Sequence, residues 1–509
     1  MKREHFIAGA VLFCALLARI IPVGAIHWFS GDGIIFRGDA DPLLYLGGAR
    51  ALLTTGGNPF NFFPPLQFLF IAAFLKIGGG STTAVLAAQA VVGWLTVVGI
   101  YLLARALFDR RTALGAALIS GLYPNFIFYG VNFYSETLAL FFIVFSFLLV
   151  QRYCASLRAA FLLGAGALWG AASLTRGGLH YFSLFMAVAI AAAPSGKGWK
   201  ARLRPAGAFL LSTYLTIFAL GLAAHPAGER FSLNARSGIG SVLHGANRIT
   251  TSCIDYGDVR GNIFYIINRC GEAWPEGSRI YSNELLEAGT WRAGRAFLAF
   301  IAREPVTYIK NSFRKLSCFA SPNQGVIHYL KTRRNRAAAP AGGWLCAGIS
   351  LCYMLIICAG VCGMSLAGGP FRRLIILFIV FYCLLVFFTV GNSKLRLPLM
   401  PFFMIYAAHF AARRRMTRAE WKALAARTWV VCALALFIGN GIYKYREIRL
   451  APEEVQVRKV EMCLKLGFPR TARFILEESG GREYNAAQLQ RLKDARERIH
   501  MILDGTEES

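Results

Sequence analysis

Two carboxylates stand close together near the start of the chain, in Phe36-Arg37-Gly38-Asp39-Ala40-Asp41-Pro42-Leu43-Leu44-Tyr45. A carboxylate held beside a membrane face can take a proton from a hydroxyl or an amine as that group attacks. Asp41 suits such a general base, with Asp39 as a supporting carboxylate. Asp41 also suits a plainer role, because Pro42 fits the first turn of a helix and Asp41 its N-cap. Tyr45 follows Asp41 by one helical turn on the same face, so it orients Asp41 or lines the same cleft. Glu136 opens an apolar segment after Tyr134-Ser135. An ionisable residue there faces the inside of a helix bundle or snorkels to the interface. Three cations complete the set: Arg176 in Leu174-Thr175-Arg176-Gly177-Gly178, and Lys394 and Arg396 in Gly391-Asn392-Ser393-Lys394-Leu395-Arg396-Leu397-Pro398. A lipid phosphate could pair with them, bidentately in the case of Arg. Anchoring to phospholipid headgroups is the plainer alternative.

These residues need elements to hold them, and composition says what kind. Of 509 residues, 56% are hydrophobic and only 16% charged, where an ordinary globular domain carries roughly a quarter charged. The apolar residues come in runs long enough to cross a bilayer as helices, about 20 residues each. Their continuity excludes a barrel, whose strands would alternate. The fold expected is an all-α polytopic membrane protein with eleven spans: 6–28, 83–105, 113–130, 134–150, 159–175, 178–194, 206–224, 343–365, 373–389, 398–412 and 428–443. Lys2 and Arg3 flank the first span, which resembles a signal peptide but reads as uncleaved. They place the N-terminus in the cytoplasm. The basic turns at Arg110 and Arg111, Arg152 and Arg158, Lys197 to Arg204, Arg372 and Arg373, and Arg413 to Arg415 then all fall on the same side. Pro64–Ile77 is too short to span comfortably and reads as an interfacial helix.

Four regions follow. Residues 1–224 form an amino-terminal transmembrane core, with a first outer loop at 29–63. Residues 225–341 form a large outer-face loop domain of mixed structure, 342–443 the remaining spans, and 444–509 a polar helical tail on the outer side. The net charge of +28 is partly this topology signal; the rest can meet anionic lipid headgroups. No nucleic-acid signature accompanies it.

The twelve cysteines form no CxxC pair and no zinc-like spacing. Cys253 and Cys270 lie in the polar outer loop, and the stretch between them is long enough to close as a disulfide in an oxidising compartment. No Walker A, HExxH or GxSxG motif is present. Asp39 and Asp41 could hold a divalent cation, though two carboxylates alone define no metal site.

In their order along the chain these motifs resemble the C-type membrane glycosyltransferases, the family of the protein O-mannosyltransferases and the aminoarabinose transferase of lipid A. The family's Asp four residues before a Tyr is matched by Asp41 and Tyr45. Its Pro-Pro-led helix is matched by Pro64-Pro65-Leu66, its Tyr-Pro turn by Tyr123-Pro124, and its Ser/Thr-Glu-Thr entry by Ser135-Glu136-Thr137. Its Leu-Thr-Arg turn is matched by Leu174-Thr175-Arg176, and its late basic segment by Ser393–Pro401. The resemblance spans about residues 10–410. Two departures stand out: Pro42 where the family often has Glu, and Lys394 where it has Arg. The resemblance implies a C-type fold. It also implies transfer of a hexosyl or pentosyl group from a polyprenyl-phosphate carrier to a lipid, glycan or protein acceptor, with inversion at the anomeric carbon. Asp41 would then be the base, and Arg176, Lys394 and Arg396 would bind the donor phosphate. The setting would be a bacterial inner membrane, with the catalytic loops periplasmic. An O-antigen-type polymerase or ligase is the competing reading, and a lipid flippase or transporter a more distant one.

Overall fold

The computed structural model describes residues 2–30, 40–56, 63–192, 199–223, 236–246, 266–267, 270, 272, 290–332, 339–413, 417–448, 450, 452–478 and 484–507. The regular elements among them are helices. The amino-terminal set is α1 (Lys2–Ser30), α2 (Ala40–Thr55), α3 (Leu66–Ile77), α4 (Thr82–Leu107), α5 (Arg110–Leu122), α6 (Pro124–Gly130), α7 (Glu136–Ser156), α8 (Ala159–Ser173), α9 (Leu179–Ala191) and α10 (Trp199–Ala223). In and after the large loop come α11 (Arg236–His244), α12 (Thr290–Arg303), α13 (Pro305–Phe319), α14 (Gly325–Thr332), α15 (Ala339–Leu366) and α16 (Pro370–Phe388). A 3-10 turn (Ser393–Leu399) leads into α17 (Met400–Ala412), α18 (Arg418–Ala425) and α19 (Thr428–Ile448), and the tail is α20 (Pro452–Lys465), α21 (Pro469–Glu478) and α22 (Ala486–Glu507).

Among the described residues seven helices are long and apolar enough to cross a membrane, eight if the bent pair α5–α6 counts as one span. Eleven is not reached by that measure. At 1.5 Å per residue α8 and α9 extend only about 22 and 20 Å, short of a hydrocarbon core of about 30 Å. α19 ends in the charged Lys444-Tyr445-Arg446-Glu447. The interfacial helix expected at 64–77 is α3.

The chain packs as two units: Met1–Gly238, Cys352–Tyr382 and Leu397–Ala435 form the first, and Ile239–Leu351, Cys383–Arg396 and Leu436–Ser509 the second. In the first unit close helix approach replaces the hydrophobic driving force that lipid cannot supply. A Cβ at Gly170 would lie 2.5 Å from Thr213 O, so α8 and α10 meet backbone to backbone. Aromatic rings fill the wider gaps, with Phe147 against Phe402 at 4.6 Å and Phe182 against Phe378 at 4.7 Å between centroids. A buried amide chain ties three elements: Gln67 Nε2 donates to Gln89 Oε1 at 3.3 Å, and Gln89 Nε2 donates to Asn132 O at 2.6 Å.

The span expected at 113–130 is broken. α5 and α6 meet at 55° across Tyr123-Pro124, because the residue before proline avoids the α region and proline has no N–H. Ser120 O thereby loses its helical partner at position 124. Arg19, on the first span and 1% exposed, supplies the donors. Its guanidinium reaches Gly121 O at 2.9 Å, Ser120 O at 3.2 Å and Ala15 O at 2.8 Å.

In the second unit α20, α21 and α22 enclose a core of Val457, Val460, Phe468, Ile475 and Ile499, which also takes in Ile267 from the large loop. The Glu272 carboxylate of that loop accepts from Arg470 N at 3.0 Å and Thr471 N at 2.7 Å, closing the N-terminus of α21. The tail and this part of the loop therefore share one side of any membrane.

Candidate active site

α2 begins at Ala40, so Asp41 lies within its first turn rather than at its cap. Aligned N–H groups there favour a carboxylate, and Pro42 forfeits no helical hydrogen bond. Asp41 is half-buried; Asp39 lies outside the described residues. One turn on, Tyr45 is buried, with its ring 5.1 Å from Phe63 and 5.0 Å from Phe68. Its hydroxyl donates to Ser135 Oγ at 3.4 Å. Ser135 is the N-cap of α7 and Glu136 its first residue. Tyr45 thus links the helix of Asp41 to the start of the helix of Glu136.

Glu136 Oε1 accepts from Arg176 Nη1 at 3.1 Å, with the two side chains 4% and 14% exposed. Arg176 is held by its backbone. α8 ends at Ser173, Arg176 N donates to Ala172 O at 3.0 Å, and Leu66 N of α3 donates to Leu174 O at 3.0 Å. Trp169 Nε1 closes the far side of the turn onto Leu179 O at 3.1 Å. Burial opposes the charge on Arg176; Glu136, then Tyr382, Tyr45 and Tyr129, favour it, and the net shift is upward. The bond to Glu136 is the one hydrogen bond its guanidinium makes among the described residues. A guanidinium has five N–H donors, so this pair can still offer several to an anion.

Tyr129 and Tyr382 were not singled out from the sequence. Tyr382 belongs to α16, far along the chain, and no local pattern marks an aromatic residue in an apolar run as a neighbour of Arg176. The structure brings Tyr45, Glu136 and Arg176 together in the first unit, with Asp41 on the helix of Tyr45.

Lys394 and Arg396 belong to the second unit. Arg396 is 3% exposed. Its Nη1 donates to Phe319 O at 2.8 Å and to Ser321 O, and its Nη2 donates to Asn323 O. In this conformation Arg396 fastens the 319–323 turn to the 393–399 segment, leaving its fork engaged by backbone. Lys394 is half-buried, and its backbone N–H donates to Asn392 Oδ1 at 2.8 Å.

The disulfide expected between Cys253 and Cys270 is not formed: Cys270 is not disulfide-bonded. Cys253 lies outside the described residues. Cys318, at the end of α13, is disulfide-bonded instead. Spacing along a loop shows which cysteines can reach each other, not which are brought within bonding distance. Among the described residues no group of three or more His, Cys, Asp or Glu side chains is placed to hold a metal ion.

Residues 63–222 match a family model described as dolichyl-phosphate-mannose-protein mannosyltransferase. That segment contains the Pro-Pro, Tyr-Pro, Ser-Glu-Thr and Leu-Thr-Arg motifs, so the resemblance to C-type membrane glycosyltransferases holds over it. No curated protein matches. The chain is similar to the archaeal oligosaccharyltransferase AglB from Archaeoglobus fulgidus in complex with an inhibitory peptide and a dolichol-phosphate. Identity there is 14% and the TM-score 0.45, over 95% of this chain and 60% of that one. The apo form of the Archaeoglobus fulgidus oligosaccharyltransferase gives 15% identity and a TM-score of 0.47, over 95% of this chain and 60% of that one. ArnT from Cupriavidus metallidurans bound to undecaprenyl phosphate gives 14% identity and a TM-score of 0.40, over 97% of this chain and 76% of that one. The chain spans about 60% of the length of the oligosaccharyltransferases it matches.

Proposed function

We propose that this protein is a C-type membrane glycosyltransferase that moves a hexosyl or pentosyl group from a polyprenyl-phosphate carrier to a lipid, glycan or protein acceptor. The observation that carries the proposal is the buried Glu136–Arg176 pair, linked through Tyr45 to the helix of Asp41. It offers a base and a phosphate-binding cation on adjoining elements.

In the proposed reaction the acceptor oxygen or nitrogen attacks the anomeric carbon. The bond from that carbon to the carrier's phosphate oxygen breaks, and the configuration inverts. Asp41 takes the acceptor's proton. The negative charge left on the departing lipid phosphate is met by the free donors of Arg176, which Glu136 aims and keeps in place. Lys394 would add positive charge, while Arg396 would act through the segment it fastens. We place the protein in a bacterial inner membrane, with this site on the periplasmic face and the N-terminus in the cytoplasm.

Transfer from labelled polyprenyl-phosphate sugars by the purified chain in lipid nanodiscs tests the proposal. Asp41→Asn should lower turnover by about two to four orders of magnitude while donor binding survives, because the lost interaction belongs to the transition state. Near-normal transfer by Asp41→Asn would remove the base from the mechanism and favour a polymerase or ligase that relies on other residues.

A further inference from the structure

Helix α13 in the large loop has its amphipathicity reversed. Its polar side chains face inward: Tyr308, Ser312 and Lys315 are buried, one turn apart along a single face. They satisfy backbone carbonyls at the end of a membrane-spanning helix. Ser312 Oγ donates to Phe387 O at 2.9 Å, Tyr308 Oη to Phe388 O at 3.3 Å, and Lys315 Nζ to Thr389 O at 2.9 Å. These are the last residues of α16 and the one after it, where a helix leaves carbonyls without partners. The apolar side chains face outward: Val306 is 77% exposed, Ile309 48% and Phe313 62%. Their spacing of three and four residues makes one continuous stripe.

A helix with carbonyl-binding groups inside and an apolar stripe outside is the reverse of a surface helix in water. α13 is too short to span, but its inner face fixes it to the end of a spanning helix, so it sits at the depth where hydrocarbon meets headgroup. The exposed Lys310 flanks the stripe, with Arg314 one turn away, half-buried. Long basic side chains at that depth lay their stems along acyl chains and their charges among phosphates. On the preceding helix α12, whose Phe297, Phe300 and Ile301 pack inward, Trp291 is 78% exposed among exposed Arg292 and Arg295. Indole rings favour that boundary.

We propose that α13 is an interfacial anchor whose Val306–Ile309–Phe313 stripe lies in the acyl region of the bilayer and whose Lys310 and Arg314 hold anionic phospholipid headgroups. The chain's own membrane is the occupant, not a protein partner.

A photo-reactive benzoylphenylalanine in place of Phe313 tests this in the full chain, reconstituted in vesicles of phosphatidylcholine and phosphatidylglycerol. Irradiation should give a lipid adduct by mass spectrometry, as it should from Leu384, which lies within the α16 span. The same probe at Leu489 in the tail should give none. A protein adduct at position 313, or no adduct there while position 384 reacts, would overturn the anchor. The headgroup part is tested by the phosphatidylglycerol that co-purifies with the chain. Lys310→Glu combined with Arg314→Glu should lower it severalfold, whereas Arg473→Glu in the tail should not. Equal retention in both variants would overturn the headgroup assignment.

Discussion

Arg176 and Arg396 are both motif arginines in turns, and both are largely buried, yet their surroundings differ in kind. Arg176 in the first unit faces a carboxylate and keeps most of its fork for something else. Arg396 in the second unit faces three backbone carbonyls. Lys315 in that unit likewise gives its amine to Thr389 O. Carbonyls carry no net charge, so the bonds they accept from these side chains support a chain path. A cation balanced by one aimed carboxylate is poised to exchange partners. Residue type and burial are alike; the partners separate chemistry from scaffolding.

The contrast is most exposed at Arg396. Arg396→Ala would leave three buried carbonyls without their donor. At about 1–3 kcal/mol for each stranded group, unfolding of the purified chain in detergent should be easier by roughly 3–9 kcal/mol. A variant that melts normally but no longer binds the donor would reverse the assignment and make Arg396 a phosphate ligand.

Arg176→Ala should raise the barrier to transfer by about 2.7–4 kcal/mol, the range for removing one preorganised charge contact. Some stability should go with it, because Glu136 is left buried without its partner. Glu136→Gln separates the two effects: it keeps the shape, removes the carboxylate and should cut transfer less than Arg176→Ala. If Arg176→Ala lost stability alone, with full turnover in the folded fraction, Arg176 would belong with Arg396.

A pH titration of stability examines Lys315. Burial pushes its amine down to about 7, below the ordinary lysine value of about 10.4. Between those limits the unfolded chain binds the proton and the folded chain does not. Stability therefore rises with pH across the window, by at most about 1.4 kcal/mol per pH unit, and is lost as pH falls toward 7. Lys315→Met should remove that slope. A slope unchanged in the variant would mean that another group titrates.

The smallest effect is a label. Alkylation without reductant should modify Cys270 and leave Cys318 unmodified. The reverse pattern would restore a bridge at Cys270 and leave the 319–323 turn without the neighbouring covalent tie.

Much of the first unit was legible in the sequence because its signals are local. Asp41 and Tyr45 share one helical turn and Glu136 opens α7, although the break at Tyr123-Pro124 lay inside a span expected to be continuous. The second unit was less legible because its partners are remote. That Arg396 answers to Phe319, Ser321 and Asn323 is not written near Arg396. The same distance hid Tyr382 beside Arg176 and the redox state of Cys318. The two span counts differ where helices are short: α8 and α9 are apolar but of 15 and 13 residues, and hydropathy reports apolarity rather than reach.

The broken span has a consequence for how the protein is made. Arg19 sits in an apolar segment that is synthesised about a hundred residues ahead of the Ser120 and Gly121 carbonyls that receive it. Until α5 arrives, the first helix must enter the bilayer with an unshielded guanidinium, at a cost of about 2.5–3.5 kcal/mol on insertion scales. Its otherwise apolar sequence, with mean hydropathy 2.3, can carry that load, so the segment inserts alone and waits. Its docking is then drawn toward the place where Pro124 has left the Ser120 carbonyl open. The first helix thus arrives carrying an address, and the break at Pro124 is where that address is read.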